Sequence, residues 1–168
     1  MREQEFADII KENEPRLRRL CRVYTQRRQD EKDLFQEVLI QIWQSLPTFE
    51  NNASLNTWIY RVAVNTAISF QRKKNTRREY YKKYREEQNS KEEVSRRSGQ
   101  TGTEKLDRLH AAIDTLNSSE KAIISMYLED FSYEEIAYVT DLTENYVGVK
   151  LHRIKNKISK KIDGRNGA

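Results

Sequence analysis

Toward the C-terminus, Asn145, Val149, His152, Arg153, Asn156 and Lys160 recur at helical spacing opposite an apolar stripe of Val147, Leu151, Ile154, Ile158 and Ile162. These residue types suit the edges and backbone of a duplex. Arginine can form a bidentate pair with guanine, Asn156 and Lys160 can hold phosphates, and an exposed Val149 can touch a thymine methyl. A lone histidine such as His152 would mean only a solvated surface; the whole face points to DNA. A second set, Trp58, Arg61, Asn65, Ile68 and Arg72, interleaves aromatic and basic side chains on one helical face. That pattern suits unstacked bases with their phosphates, although Trp58 by itself would equally suit a core position. A third set, Asp33, Gln36, Glu37, Ile40 and Gln44, places an isoleucine within an acidic, amide-rich face, as a protein partner would require. Catalytic chemistry is poorly provided for. The chain holds two histidines, one cysteine and no glycine-rich phosphate loop, so neither an enzyme nor a metal or organic cofactor is expected.

The elements that must carry these residues read as helices throughout, with no convincing strand alternation. A first helix carries Phe6, Ile9, Ile10, Leu17, Leu20, Cys21 and Tyr24, and Pro15 is expected to break or kink it. A second is expected to start with Asp30 as N-cap, to run through Leu34, Val38, Ile42 and Leu46, and to stop at Pro47. After a loop from Thr48 to Ala53, Ser54 caps a long third helix with an expected core stripe of Leu55, Ile59, Val62 and Thr66. The polar, charged stretch from about Gln71 to Thr103 has helical propensity over Lys73 to Glu93 but little apolar surface beyond Tyr80, Tyr81 and Tyr84, and its second half is expected to be a flexible linker. A second helical module begins near Glu104, with Leu106, Leu109, Ile113 and Leu116 as its stripe.

The end of the chain has paired helix-start signals. Ser132 and Glu135 form a capping-box pattern, with Phe131 and Ile136 as a hydrophobic staple; Thr143 as cap with Leu142 and Val147 repeats it. Two short helices so joined make a helix-turn-helix spanning roughly 131–162. Glu134 and Glu135 are explained by this capping rather than by acid–base work.

Charge follows the same division. Residues 1–70 carry ten basic and ten acidic side chains, 71–105 carry twelve and six, 106–143 two and eight, and 144–168 seven and two. The net charge of +5 thus resides in two basic blocks beside the candidate DNA-reading helices. The single Cys21 and the absence of a long apolar run or signal-peptide pattern fit a soluble protein of a reducing cytosol.

Taken together, these stretches resemble the extracytoplasmic-function (ECF) sigma factors of bacterial RNA polymerase. Asp33-Leu34-Phe35-Gln36-Glu37-Val38, Ile42-Trp43-Gln44-Ser45-Leu46-Pro47-Thr48-Phe49 and Ala53-Ser54-Leu55-Asn56-Thr57-Trp58-Ile59-Tyr60-Arg61-Val62-Ala63-Val64-Asn65-Thr66-Ala67 are similar to the family's region two. Phe131-Ser132-Tyr133-Glu134-Glu135-Ile136-Ala137, with Val147 and Lys150-Leu151-His152-Arg153, is similar to region four. The resemblance implies an all-α fold of two small helical domains joined by a flexible linker: region two in 1–75, a charged linker in 76–104, and a region-four helix-turn-helix in 105–168. It implies docking on core polymerase, through the β′ clamp helices and the β flap, with Asp33, Gln36, Glu37, Ile40 and Gln44 facing the clamp. Asn51, Asn52, Ala53, Ser54, Trp58, Arg61, Asn65 and Arg72 would capture and melt the minus-ten element. Asn145, Gly148, Val149, Lys150, His152, Arg153 and Asn156 would read the minus-thirty-five element. An anti-sigma factor, often membrane-bound in the family, is implied as a further partner, holding a cytoplasmic protein at the inner membrane. Gly148-Val149 departs from the family's basic-then-serine pair, so a basic base contact is lost there and the bare backbone is left open to close approach by DNA. The alternative from the residues alone is a helix-turn-helix regulator that does not dock on polymerase.

Overall fold

The computed structural model describes residues 2–84 and 104–163, and within them the fold is all-α. Seven α-helices follow in order: α1 (Arg2–Tyr24), α2 (Arg28–Ser45), α3 (Leu55–Tyr84), α4 (Glu104–Asp114), α5 (Ser118–Leu128), α6 (Tyr133–Thr140) and α7 (Glu144–Asp163), with a 3-10 turn at Leu46–Thr48.

The first three helices pack around Leu17, Leu20, Cys21, Leu34, Val38, Ile42, Ile59, Ala63 and Ala67, all essentially inaccessible to solvent. Three sequence expectations are corrected here. Pro15 lies inside a continuous α1. Its ring removes one donor, to the carbonyl of Lys11, and position 11 is exposed, so water can serve that oxygen while the buried stripe holds the helix. Asp30 is not the cap of α2, which begins two residues earlier behind Arg27. Its carboxylate instead pairs with Lys74 of α3. The core stripe of α3 is rotated from Leu55, Val62 and Thr66, all half-buried, to Thr57, Ile59, Tyr60, Ala63, Val64 and Ala67. Alanines 63 and 67 let this helix lie close to α1 and α2, so small residues mark the buried face that a search for large ones overlooks.

Ser54 does cap α3, its hydroxyl accepting from the Thr57 amide at 3.2 Å. The helix then continues to Tyr84, so residues 76–84, expected within the linker, are helical. Lys, Arg and Glu favour helix and no glycine or proline intervenes. The rest of the expected linker lies outside the described residues.

In the second group, α5 is buried almost continuously from Glu120 to Met126, because α1 lies on one side and α6 and α7 on the others. Asn117 and Glu120 form a capping box at its start, a signal the sequence reading did not use. Ile113 and Leu116 are buried as expected, whereas Leu106 is exposed. The capping box of Ser132 and Glu135 is present at α6. Thr143 caps α7 by accepting from the Tyr146 amide at 3.2 Å. Between them Asp141 adopts a left-handed conformation (φ 56°), which ends α6 and aims α7 across it. Val147, Leu151 and Ile154 fill the core beneath, with Ile158 and Ile162 half-buried.

The two groups share one apolar core. The rings of Tyr60 and Phe131 meet at 4.9 Å, and the Tyr24 hydroxyl donates to the Ser118 carbonyl at 2.7 Å. Glu129 accepts from both Nε and Nη2 of Arg19, the latter at 2.8 Å, with Arg16 3.8 Å away. Burial raises the phenols of Tyr24 and Tyr60 well above the ordinary tyrosine range, so both stay neutral at this junction.

Candidate nucleic-acid and polymerase interfaces

On α7 the sequence-predicted face is assembled as expected. Asn145, Val149, His152, Arg153, Asn156 and Lys160 are exposed; Gly148 and Lys150 are half-buried at its edge. The Asn156 amide lies 3.4 Å from Nε2 of His152, which orients both toward the same surface. The backbone of Gly148 is not bare, because the ring of Tyr133 lies over it: a Cβ added there would sit 3.5 Å from Tyr133 Cε2. Sequence reasoning missed two aromatics of this surface. Tyr133 and Tyr146 remain 42% and 43% exposed, and the Lys150 ammonium lies 5.6 Å from the Tyr146 ring. Their only sequence signal is position, since each stands in the first turn of one helix of the pair.

On α2, Asp33, Gln36, Ile40 and Gln44 are exposed and Glu37 is half-buried, forming a continuous strip. Gln29 donates to Asp33 at 2.9 Å and Gln41 to Glu37 at 3.0 Å, each occupying one carboxylate oxygen. Ile40 is 48% exposed between them.

The third set divides. Asn51 (φ 60°), Asn52 and Ser54 are exposed and Ala53 half-buried; Asn65 and Arg72 are exposed farther along α3. Trp58 is half-buried with its ring 5.2 Å from that of Phe49, so it belongs partly to the loop's packing and partly to the surface. Arg61 is engaged by the second helix group. Its guanidinium stacks 4.8 Å from the Tyr138 ring, donates to the Tyr138 carbonyl at 3.5 Å and lies 3.7 Å from Asp141. Thr57, one turn before it, donates to the capping carboxylate of Glu135 at 3.3 Å. The first helix of the helix-turn-helix therefore covers part of the face that α3 would offer to DNA.

Behind α7, Lys157 donates to Glu120 at 2.7 Å and ties this helix to α5. Burial pushes this carboxyl up, but the Lys157 hydrogen bond, the Asn117 amide and the lysine charge outweigh it and hold Glu120 below its ordinary value. No group of His, Cys, Asp and Glu side chains suited to a metal ion occurs among the described residues. None of the described helices is long and apolar enough to cross a membrane.

Comparison with known proteins agrees with this division. Residues 9–78 match the family model of Sigma-70 region 2, and residues 106–158 match that of Sigma-70 region 4. The chain is 32% identical over 136 residues to the RNA polymerase sigma factor SigV of Bacillus subtilis, covering 80% of this chain and 77% of that protein. It is 27% identical to the ECF RNA polymerase sigma-E factor of Haemophilus influenzae, covering 80% and 76%. Its fold is similar to that of the sigma factor RpoE of Bartonella quintana, solved with the anti-sigma factor NepR (TM-score 0.75, 20% identity, 95% of this chain and 98% of that one). It is also similar to CnrH, solved with the cytosolic domain of CnrY (TM-score 0.71, 18% identity, 96% and 90%). Two sigma regions in order, on an all-helical scaffold and with a relative of this identity across most of both chains, place this protein in the ECF family of RNA polymerase sigma factors.

Proposed function

We propose that the chain docks on core RNA polymerase and directs promoter-specific initiation, with residues 1–75 as the polymerase and minus-ten module, 76–104 as linker and 105–168 as the minus-thirty-five module. The observation that carries this reading is the pairing, in one chain, of a basic reading face on α7 with an acidic and amide-rich strip on α2. A free-standing DNA binder has no use for the second. Asp33, Gln36, Glu37, Ile40 and Gln44 would meet the β′ clamp helices, and the second module the β flap. Asn145, Val149, His152, Arg153 and Asn156 read the minus-thirty-five element in the major groove, where arginine supplies a bidentate contact to guanine.

Asn51, Asn52, Ala53, Ser54 and Trp58 capture an extruded base of the minus-ten element. Unstacking costs a few kcal/mol per base and stacking with polar contacts must offset it. Arg61, Asn65 and Arg72 hold the adjoining backbone. Arg61 can do so only when its contacts with Tyr138 and Asp141 are exchanged for phosphates. An anti-sigma factor is a natural competitor for these faces, and the protein acts in the cytoplasm without catalytic chemistry or cofactor of its own.

Reconstitution is the test. Adding the purified chain to core polymerase is expected to give transcripts with discrete starts from a cognate promoter. If the mixture transcribes genomic fragments no more selectively than core enzyme alone, the proposal fails.

A further inference from the structure

Beyond Lys74 the third helix emerges from the packed body, with only Asn75 and Arg78 still bordering a pocket that Tyr24, Asp114 and Lys121 also line. Every residue from Asn75 to Tyr84 is exposed, and ten residues of helix extend about 15 Å. Arg77, Tyr80, Tyr81 and Tyr84 fall at i, i+3, i+4 and i+7 on one face of this projection. The three tyrosines are 59%, 51% and 73% exposed. They are also organised: the ring of Tyr80 stands 6.0 Å from that of Tyr81 at 79° and 4.9 Å from that of Tyr84 at 45°. Around them, residues 72–84 hold seven basic side chains and one acidic one, Glu79.

A solvated helix end needs no aromatic ridge. The rings of Tyr80 and Tyr84 are the most exposed of the three, an arrangement unfavourable in water unless something covers them, and the surrounding charge selects what that can be. An apolar protein partner would have to bury Lys82 and Lys83 beside the rings, at the cost of their hydration. Single-stranded nucleic acid instead offers flat apolar bases to the tyrosines and phosphates to the cations. Duplex DNA offers the phosphates but keeps its base faces stacked away.

We propose that the Tyr80–Tyr81–Tyr84 ridge is a stacking platform for single-stranded nucleic acid, with Arg77, Arg78, Lys82 and Lys83 holding its backbone. It lies at the far end of α3 from Trp58 and is separate from the faces assigned above. It rests on the sigma reading only for where such a strand would come from: a strand of opened promoter DNA or a transcript.

The experiment uses the full-length chain and labelled oligothymidine, oligouridine and a blunt duplex, all lacking promoter sequence, with affinities read by fluorescence anisotropy. Tyr80→Leu with Tyr84→Leu is expected to weaken single-strand binding by about tenfold or more while changing duplex binding by less than about twofold. Tyr80→Phe with Tyr84→Phe keeps the rings and should bind like wild type. Lys82→Gln with Lys83→Gln should flatten the salt dependence for all three ligands. Tighter binding of oligothymidine assigns the platform to DNA, and of oligouridine to RNA. The proposal is overturned if the leucine variant binds single strands like wild type. It is also overturned if the phenylalanine variant loses as much as the leucine one, or if duplex binding falls in parallel. Helix content of each variant is checked by circular dichroism. Reconstituted transcription by the wild-type chain separates the two readings, because the platform can stand where the sigma assignment fails, and the reverse.

Discussion

At the scale of single residues, Gly148 is the position whose meaning changed most. Its lack of a side chain suggested an open backbone for DNA, yet the ring of Tyr133 lies over it with room for a methyl group at 3.5 Å. Gly148→Ala should therefore be accommodated and should raise stability by about 1 kcal/mol, the ordinary helix preference of alanine over glycine. Chemical denaturation checks this; a loss of stability would mean that Tyr133 cannot give way. Glu120 has a different consequence. Its carboxyl is held below its ordinary value of 4.5, so the stability it contributes is present above that value and is lost as pH falls through the depressed folded value. Glu120→Gln keeps the capping box with Asn117 but loses the ion pair with Lys157. The variant should be less stable than wild type at neutral pH and show a shallower loss below about pH 4.5, measured by thermal melts across that range. Equal slopes would remove Glu120 from the acid response.

Among elements, the decisive contact is between α1 and the end of α5, where Glu129 accepts from Arg19 and lies near Arg16. The hydrogen bond with Glu129 raises the Arg19 guanidinium above its usual value, as a strong pair should. Arg19 is about half exposed, so solvent screening limits the coupling to about 1 kcal/mol. A double-mutant cycle of Arg19→Ala and Glu129→Ala should return a coupling of that size in the stability of the whole chain. A coupling indistinguishable from zero would show that the Arg19–Glu129 pair does not hold the helix groups together, leaving that to the Tyr60–Phe131 junction and the contacts of Tyr24, Thr57 and Arg61. The same arrangement places α6 over Arg61, so the minus-ten contact proposed for Arg61 would require the helix-turn-helix to move.

For the whole molecule, the separation of faces predicts separable defects. Arg153→Ala should relax or abolish minus-thirty-five recognition with core binding intact, whereas Glu37→Lys should weaken core binding and leave α7 unaltered. Promoter competition and core-polymerase pull-down read the two; a folded Arg153→Ala variant that no longer binds core enzyme would contradict the division. Much of this organisation was legible in the sequence because it is local. The caps at Ser54, Ser132 and Thr143 act within three residues, and the stripe of Val147, Leu151 and Ile154 repeats with the helix itself. Where a prediction depended on a distant neighbour it went astray. The buried face of α3 turned toward Ala63 and Ala67, Asp30 left its expected cap for Lys74, and α1 runs unbroken through Pro15. By itself the sequence determined the all-helical class, the exposed polar face of α7 and the exposed strip on α2, since periodicity and capping are short-range. Only the tertiary structure decided that Tyr133 covers Gly148 and that Arg61 faces Tyr138 and Asp141. Those contacts join residues far apart in the chain, and no local pattern encodes which surfaces a shared core will bring together.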